Sequence, residues 1–253
     1  MRAGLKLLRD EVAVLAGETA ARWGRLPFEV PDIDGALPGG GLARGALHEV
    51  GGVAGDGEDG AVAAAFLAGI LARLDPARPV LWCLAGDDLY GPGLAGCGLA
   101  PARLIRVRAR DDRGVLETME DALRVPALAA VVGEVGSFTL TQSRRLQLAA
   151  AQSGVTAFAL RRWRLGAQAA TERAAPLAAM TRWQASALPS RSREDEPGVG
   201  VPRWRLELWR CRGGVPADWI VEAGDATGHV ALAAGLADRA PAPGRRLPLR
   251  AVG

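Results

Sequence analysis

Between residues 47 and 160, short apolar runs alternate with stretches in which apolar residues return at helical spacing. Residues 47–50, 79–85 (PVLWCLA), 104–108, 128–132 and 155–160 are of strand length and apolar on both faces, the pattern of strands buried in a parallel sheet. Residues 61–74 are apolar nearly all round, which predicts a helix buried against that sheet and closed by Pro76. Residues 114–123 and 139–153 predict two further helices, and the glycine-rich stretch 86–98 a loop or short helix. This alternation argues for an α/β fold, a mainly parallel sheet flanked by helices.

The texture changes after Leu160. Residues 181–188, 203–210 and 218–221 alternate apolar and polar, as antiparallel strands with one wet face do, and predict a C-terminal antiparallel extension of the sheet. Residues 190–202 read as a charged loop. At the other end, Leu5, Leu8, Val12 and Leu15 form an apolar stripe on a helix spanning 5–21. The expected organisation is an N-terminal helical arm over 1–27, one domain over 28–236, and a frayed Pro- and Arg-rich tail over 237–253.

Composition narrows the picture. With 253 residues and 49% hydrophobic content, the chain affords one large core. The net charge is only +3, yet Lys6 is the only lysine, so the positive charge is almost all arginine, a residue suited to bidentate contact with carboxylate or phosphate. Residues 158–212 hold 11 Arg against 5 acidic residues, a surplus of +6, so the rest of the chain is slightly acidic. Cys83, Cys97 and Cys211 have neither disulfide nor metal-site spacing. Charges within the first 21 residues exclude a signal-peptide core, and no apolar run is long enough to span a bilayer; a cytoplasmic protein with no membrane partner is expected.

One stretch invites a chemical reading. The strand at 47–50 leaves a PGGGLARG turn and enters a loop with Gly51, Gly52, Gly55, Gly57 and Gly60 before the helix. Such loops cradle phosphates by backbone N–H groups at a helix N-terminus, helped by a lysine. Here the lysine is absent, no Ser or Thr follows Gly60, and Asp56, Glu58 and Asp59 place negative charge where a triphosphate would sit. Glu134, near a strand's C-terminal end, stands where open α/β sheets keep their sites. Asp87 and Asp88 are the carboxylates to join it around a metal, although solvated or salt-bridged acids explain them more simply. His48 and Glu49 lie within a strand and read as satisfied polar residues; no nucleophile accompanies His229, and no metal site or catalytic residue is assigned.

IDGALPGGGLARGALHEVGG resembles the segment entering the first core strand of RecA-type recombinases, and the order of elements after it matches as well. With RWRLELWRCRGG and WIVEAGDATG near the end, the chain is similar to the ImuA family, RecA-like members of the SOS mutagenesis cassette. The resemblance covers about residues 28–236 and implies a RecA-like P-loop-type core. It implies partners too: an inactive Y-family polymerase relative (ImuB-like), RecA, and the error-prone replicative polymerase subunit. Carried over residue by residue, the match is mostly negative. The lysine position falls within 58–60, Gly86 stands in place of the catalytic glutamate, and Gly133 takes the Walker B place with Glu134 beside it. Phosphoryl transfer depends on those charges, so the expectation is a degenerate nucleotide site, no cofactor, no ATP binding, and a non-enzymatic accessory of translesion synthesis. The alternatives are a weak DNA-dependent ATPase of the RecA superfamily and an SOS cell-division inhibitor. Arg161, Arg162, Trp163 and Arg164, where RecA begins a mobile DNA-binding loop, are the candidate contacts to single-stranded DNA, against a basic loop packed on the sheet. The Leu5–Leu8–Val12–Leu15 stripe, with Trp204 and Trp209, makes up the candidate partner surface.

Overall fold

The computed structural model describes residues 22–53, 56–163, 166–191 and 198–233. The Leu5–Leu8–Val12–Leu15 stripe, Gly55, Arg164 and the tail lie outside these residues. Strands β1 (Arg25–Leu26) and β2 (Leu42–Ala43) form a small antiparallel pair around the short helix α1 (Pro31–Ala36). The chain then runs β3 (Leu47–Gly52), α2 (Asp56–Arg73), β4 (Val80–Leu84), α3 (Gly91–Gly96), β5 (Leu104–Arg108), α4 (Asp112–Ala122), β6 (Ala130–Val135), α5 (Leu140–Ser153), β7 (Thr156–Arg161) and α6 (Gly166–Ala174). Four strands follow: β8 (Thr181–Arg191), β9 (Val201–Cys211), β10 (Ala217–Glu222) and β11 (Ala231–Leu232).

One nine-stranded sheet has the order β11-β10-β9-β8-β3-β7-β6-β4-β5. From β8 to β5 every pairing is parallel; from β8 outward through β9, β10 and β11 every pairing is antiparallel. The expected α/β class and the C-terminal antiparallel extension are both present. Strands β3, β6 and β7 are buried at every residue, which is why they read as apolar runs rather than alternations.

Each face of the sheet carries its own core. Helices α2 and α3 cover one face, where Phe66, Leu71 and Leu94 pack with Trp82, Leu160, Trp183 and Leu206. Phe28, Phe66 and Trp183 form a ring cluster with centroids 5.4 to 6.1 Å apart. Helices α4 and α5 cover the other face through Val115, Met119, Leu146 and Ala150. Gly228, at φ 79°, brings its carbonyl so close to Gly69 that a Cβ there would sit 2.9 Å from it, so α2 is covered by the chain's end as well as by the sheet.

Local signals set the boundaries. Asp111 caps α4 by accepting from Gly114 N–H, and Thr139 with Gln142 forms a capping box at the start of α5. Gly154 ends α5 at φ 82°, and its bare Cα leaves room for Trp23, whose Nε1 donates to Ala151 O at 2.8 Å. Two arginines close helices from a distance. Arg103 donates to the carbonyls of Ala72, Leu74 and Asp75 at the end of α2, and Arg182 to those of Glu172, Arg173 and Ala175 at the end of α6.

Candidate functional site

Strand β4 leads outward to β5, whereas β6 returns on β4's other side, so the order of the parallel strands reverses between them. Ligands of open α/β sheets bind at such a reversal, outside the C-terminal strand ends. A crevice of about 510 Å³ opens there, lined among others by Gly86, Asp87, Asp88, Asp112, Glu134 and Arg162. Glu134 is not at the end of its strand, as expected from sequence, but inside it: β6 continues to Val135, and Glu134 is only 5% exposed.

A buried carboxylate needs partners, and Glu134 finds them on β4 and just past β7. Trp82 Nε1, from β4, donates to Oε1 at 2.8 Å; the Arg162 guanidinium donates to Oε2 at 2.9 Å. Arg162 also ion-pairs with Asp88. Asp88 and Glu134 thus do converge, but onto an arginine. Asp87 turns away to Arg106 at 3.4 Å, and Asp112 accepts from the N–H groups of Gly136 and Ser137, fixing the loop after β6. Among the described residues no group of three acidic, His or Cys side chains is placed to hold a metal ion.

The described glycines of the loop are divided between strand and helix. Gly51 and Gly52 belong to β3, and Gly57 and Gly60 lie within α2, which starts at Asp56 rather than at residue 61. Asp59, 7% exposed, points inward, accepting from Val53 N–H at 3.2 Å and from Ala187 N–H of β8 at 3.1 Å. A Cβ on Gly52 would lie 2.7 Å from the Asp59 Cβ, and one on Gly51 3.1 Å from the Trp163 ring. These two glycines therefore admit the protein's own side chains. A carboxylate holds two backbone donors beside the loop, no lysine is present, and Arg162 is engaged by acids.

Of the stretch singled out for DNA, Arg161 and Trp163 are folded inward. Arg161 is the last residue of β7, 1% exposed, and pairs with Glu172 of α6 at 2.5 Å. Its guanidinium lies 4.9 Å from the Phe138 ring centroid and 5.3 Å from that of Trp163, itself 1% exposed. Neither presents a surface to a DNA strand, a correction whose physical cause is the acid that α6 brings over β7. Trp204 is likewise a core residue at 7% exposure, not part of a partner surface. Trp209 is half-buried, its ring 4.1 Å from the Arg182 guanidinium carbon.

Of the strand polar residues, His48 is satisfied at both ring nitrogens, whereas Glu49 is paired through one oxygen only, its Oε2 being buried without a hydrogen-bond partner. Glu49 Oε1 accepts from Arg182 Nε at 3.0 Å; burial pushes this carboxyl up, against the opposing pull of Arg161 and Arg182. His48 Nε2 lies 2.8 Å from Ala43 O, a pure acceptor, so Nε2 carries the proton. Nδ1 then accepts from Thr181 Oγ1 at 2.7 Å, while that hydroxyl accepts from Trp183 Nε1. Burial lowers the His48 pKa to about 4, with the Ala43 contact opposing. Sequence reasoning missed Trp82 and the long-range partners of Asp59 and Arg162. The lone tryptophan in an aliphatic run was the one available signal, since a buried indole N–H seeks an acceptor.

No helix among the described residues is long and apolar enough to cross a membrane. No family model matches the chain. It is similar to Protein ImuA of Caulobacter vibrioides strain NA1000 / CB15N, at 42% identity over 209 residues, covering 81% of this chain and 85% of the relative. The same figures hold for Protein ImuA of strain ATCC 19089 / CIP 103742 / CB 15.

Proposed function

The chain belongs to the ImuA family, that of the DNA-damage mutagenesis cassette, and from that premise we propose that it is a non-enzymatic accessory of a translesion DNA synthesis complex. Its work is to bind partners in the cytoplasm: the inactive Y-family polymerase relative first, then RecA and the error-prone replicative polymerase subunit. Asp59 carries this reading. Where a nucleotide enzyme keeps backbone donors free for phosphate, this chain turns a carboxylate inward onto Val53 and Ala187 N–H. Arg162 supports it: held by Glu134 and Asp88, it fills with a fixed charge the crevice in which a catalytic ion would be placed.

Purified protein mixed with the polymerase relative tests the proposal. Co-purification without nucleotide, and ATP turnover at the no-protein background, are expected. Saturable hydrolysis that disappears in Glu134→Ala would reinstate an enzyme, and a pair that never co-purifies would remove the accessory role. Removal of residues 1–21, which spares the docked Trp23, asks whether the arm carries the contact.

A further inference from the structure

Several arginines of this protein are neutralised by nearby acids. Arg145 pairs with Glu120 at 2.6 Å, Arg113 with Glu117, Arg205 with Asp218 and Arg162 with Glu134. Arg144, Arg210 and Arg212 are among the arginines with no ion pair to a carboxylate among the described residues, and these three lie together. One short segment gathers them. Ala178 N–H donates to Ser143 Oγ of α5 at 3.0 Å, anchoring the segment beside Arg144. Two residues on, Met180 O accepts from Arg212 N–H at 2.9 Å, and one residue before, Leu177 O accepts from the Arg212 guanidinium at 3.5 Å. Arg210 reaches the same corner because β9 pairs it with Arg182 at the start of β8.

Arg144 and Arg210 are exposed and Arg212 is half-buried. The proton affinity of Arg212 is lowered, first by burial and then by the charges of Arg210 and Arg144, so both lie within reach of the Arg212 charge. Like charges held together without a counter-charge oppose folding and attract an anion. Guanidinium forks match phosphate oxygens in pairs. Leu148, one helical turn beyond Arg144 and 58% exposed, adds apolar surface beside them. We propose that the corner formed by Arg144, Arg210 and Arg212 binds the phosphodiester backbone of a nucleic-acid strand. The choice of nucleic acid rests on the mutagenesis-complex reading; the anion site rests on the three guanidiniums alone.

The test uses the full chain, wild type and with Arg144→Gln, Arg210→Gln and Arg212→Gln combined, against labelled single-stranded and duplex oligonucleotides. Three phosphate contacts give a slope of log affinity on log salt of roughly −2 for single strands and −3 for duplex. The triple variant should lose at least about tenfold in affinity near 50 mM salt and most of that slope. Arg144→Gln and Arg210→Gln alone, both at exposed positions, should each remove about one unit of slope, which keeps the test valid if the triple variant misfolds. Unchanged binding in these variants, no binding of either oligonucleotide by the wild type, or capture of poly-glutamate in their place would overturn the proposal. Co-purification of the triple variant with the polymerase relative is read separately: a complex kept while DNA is lost supports both readings, and a complex absent even in the wild type counts against the accessory role alone.

Discussion

Two groups of arginines from the same basic stretch meet opposite fates. Arg161 and Arg182 are buried, each on a carboxylate from elsewhere in the chain; the partner of Arg182 is Glu49, 133 residues away. Arg210 and Arg212, joined by Arg144 of α5, stay at the surface with no acid beside them. A charge surplus counted along the sequence mixes the two. What separates them is topology: β8 lies next to β3 and so meets Glu49, whereas Arg212, just past β9, comes within reach of an arginine on α5.

The sharpest break in this comparison is Arg182→Ala. It strands Glu49 in the core and uncaps α6, so a loss of about 3–5 kcal/mol in urea unfolding is expected. Arg182→Lys should recover only part, because one ammonium cannot reach Glu49 and three carbonyls together.

Next comes His48, on the same strand as Glu49. Its folded pKa of about 4 lies below the unfolded value of 6.5, so the unfolded chain takes up the proton first as pH falls. The contribution of His48 is complete above pH 6.5 and is lost between there and about pH 4. Unfolding midpoints across that window should fall by an amount equivalent to about 3 kcal/mol at most. His48→Gln, measured at the same points, should flatten the slope; an unchanged slope would assign it to other groups.

The smallest effect belongs to the exposed group. Combined glutamine substitution at Arg144, Arg210 and Arg212 should leave stability within about 0.5 kcal/mol, or raise it slightly by removing repulsion. A large loss would place these arginines with the structural group.

The sequence disclosed what periodicity encodes. The core strands, the helices at α2, α4 and α5, and the antiparallel extension follow from apolar runs and alternation, and β5 matches residue for residue. The helix α6 went unread: its segment GAQAATERA has no apolar residue larger than alanine and is held in place by Arg182 from a later strand. The end of β6 was drawn short because Gly133 and Glu134 break an apolar run, although Trp82 and Arg162 make the acid tolerable inside the sheet. The missing lysine was legible at once. The inward turn of Asp59 was not, since its partner Ala187 lies 128 residues on. Arginine roles were the least legible, because a guanidinium's partner is chosen in three dimensions.

The position of β3 has a consequence in time. It is a central strand, yet both neighbours, β7 and β8, come from far later in the chain. During synthesis, which adds roughly 5–20 residues per second, β4 and β5 can pair while β3 waits for partners not yet made. Until β8 emerges, one full edge of β3, built from residues meant for the interior, has no strand to take it. An unprotected edge of that kind recruits strands from other chains. Truncation between β7 and β8 should therefore yield aggregates rather than a smaller folded protein, and the antiparallel end of the sheet is what completes the core rather than an ornament on it.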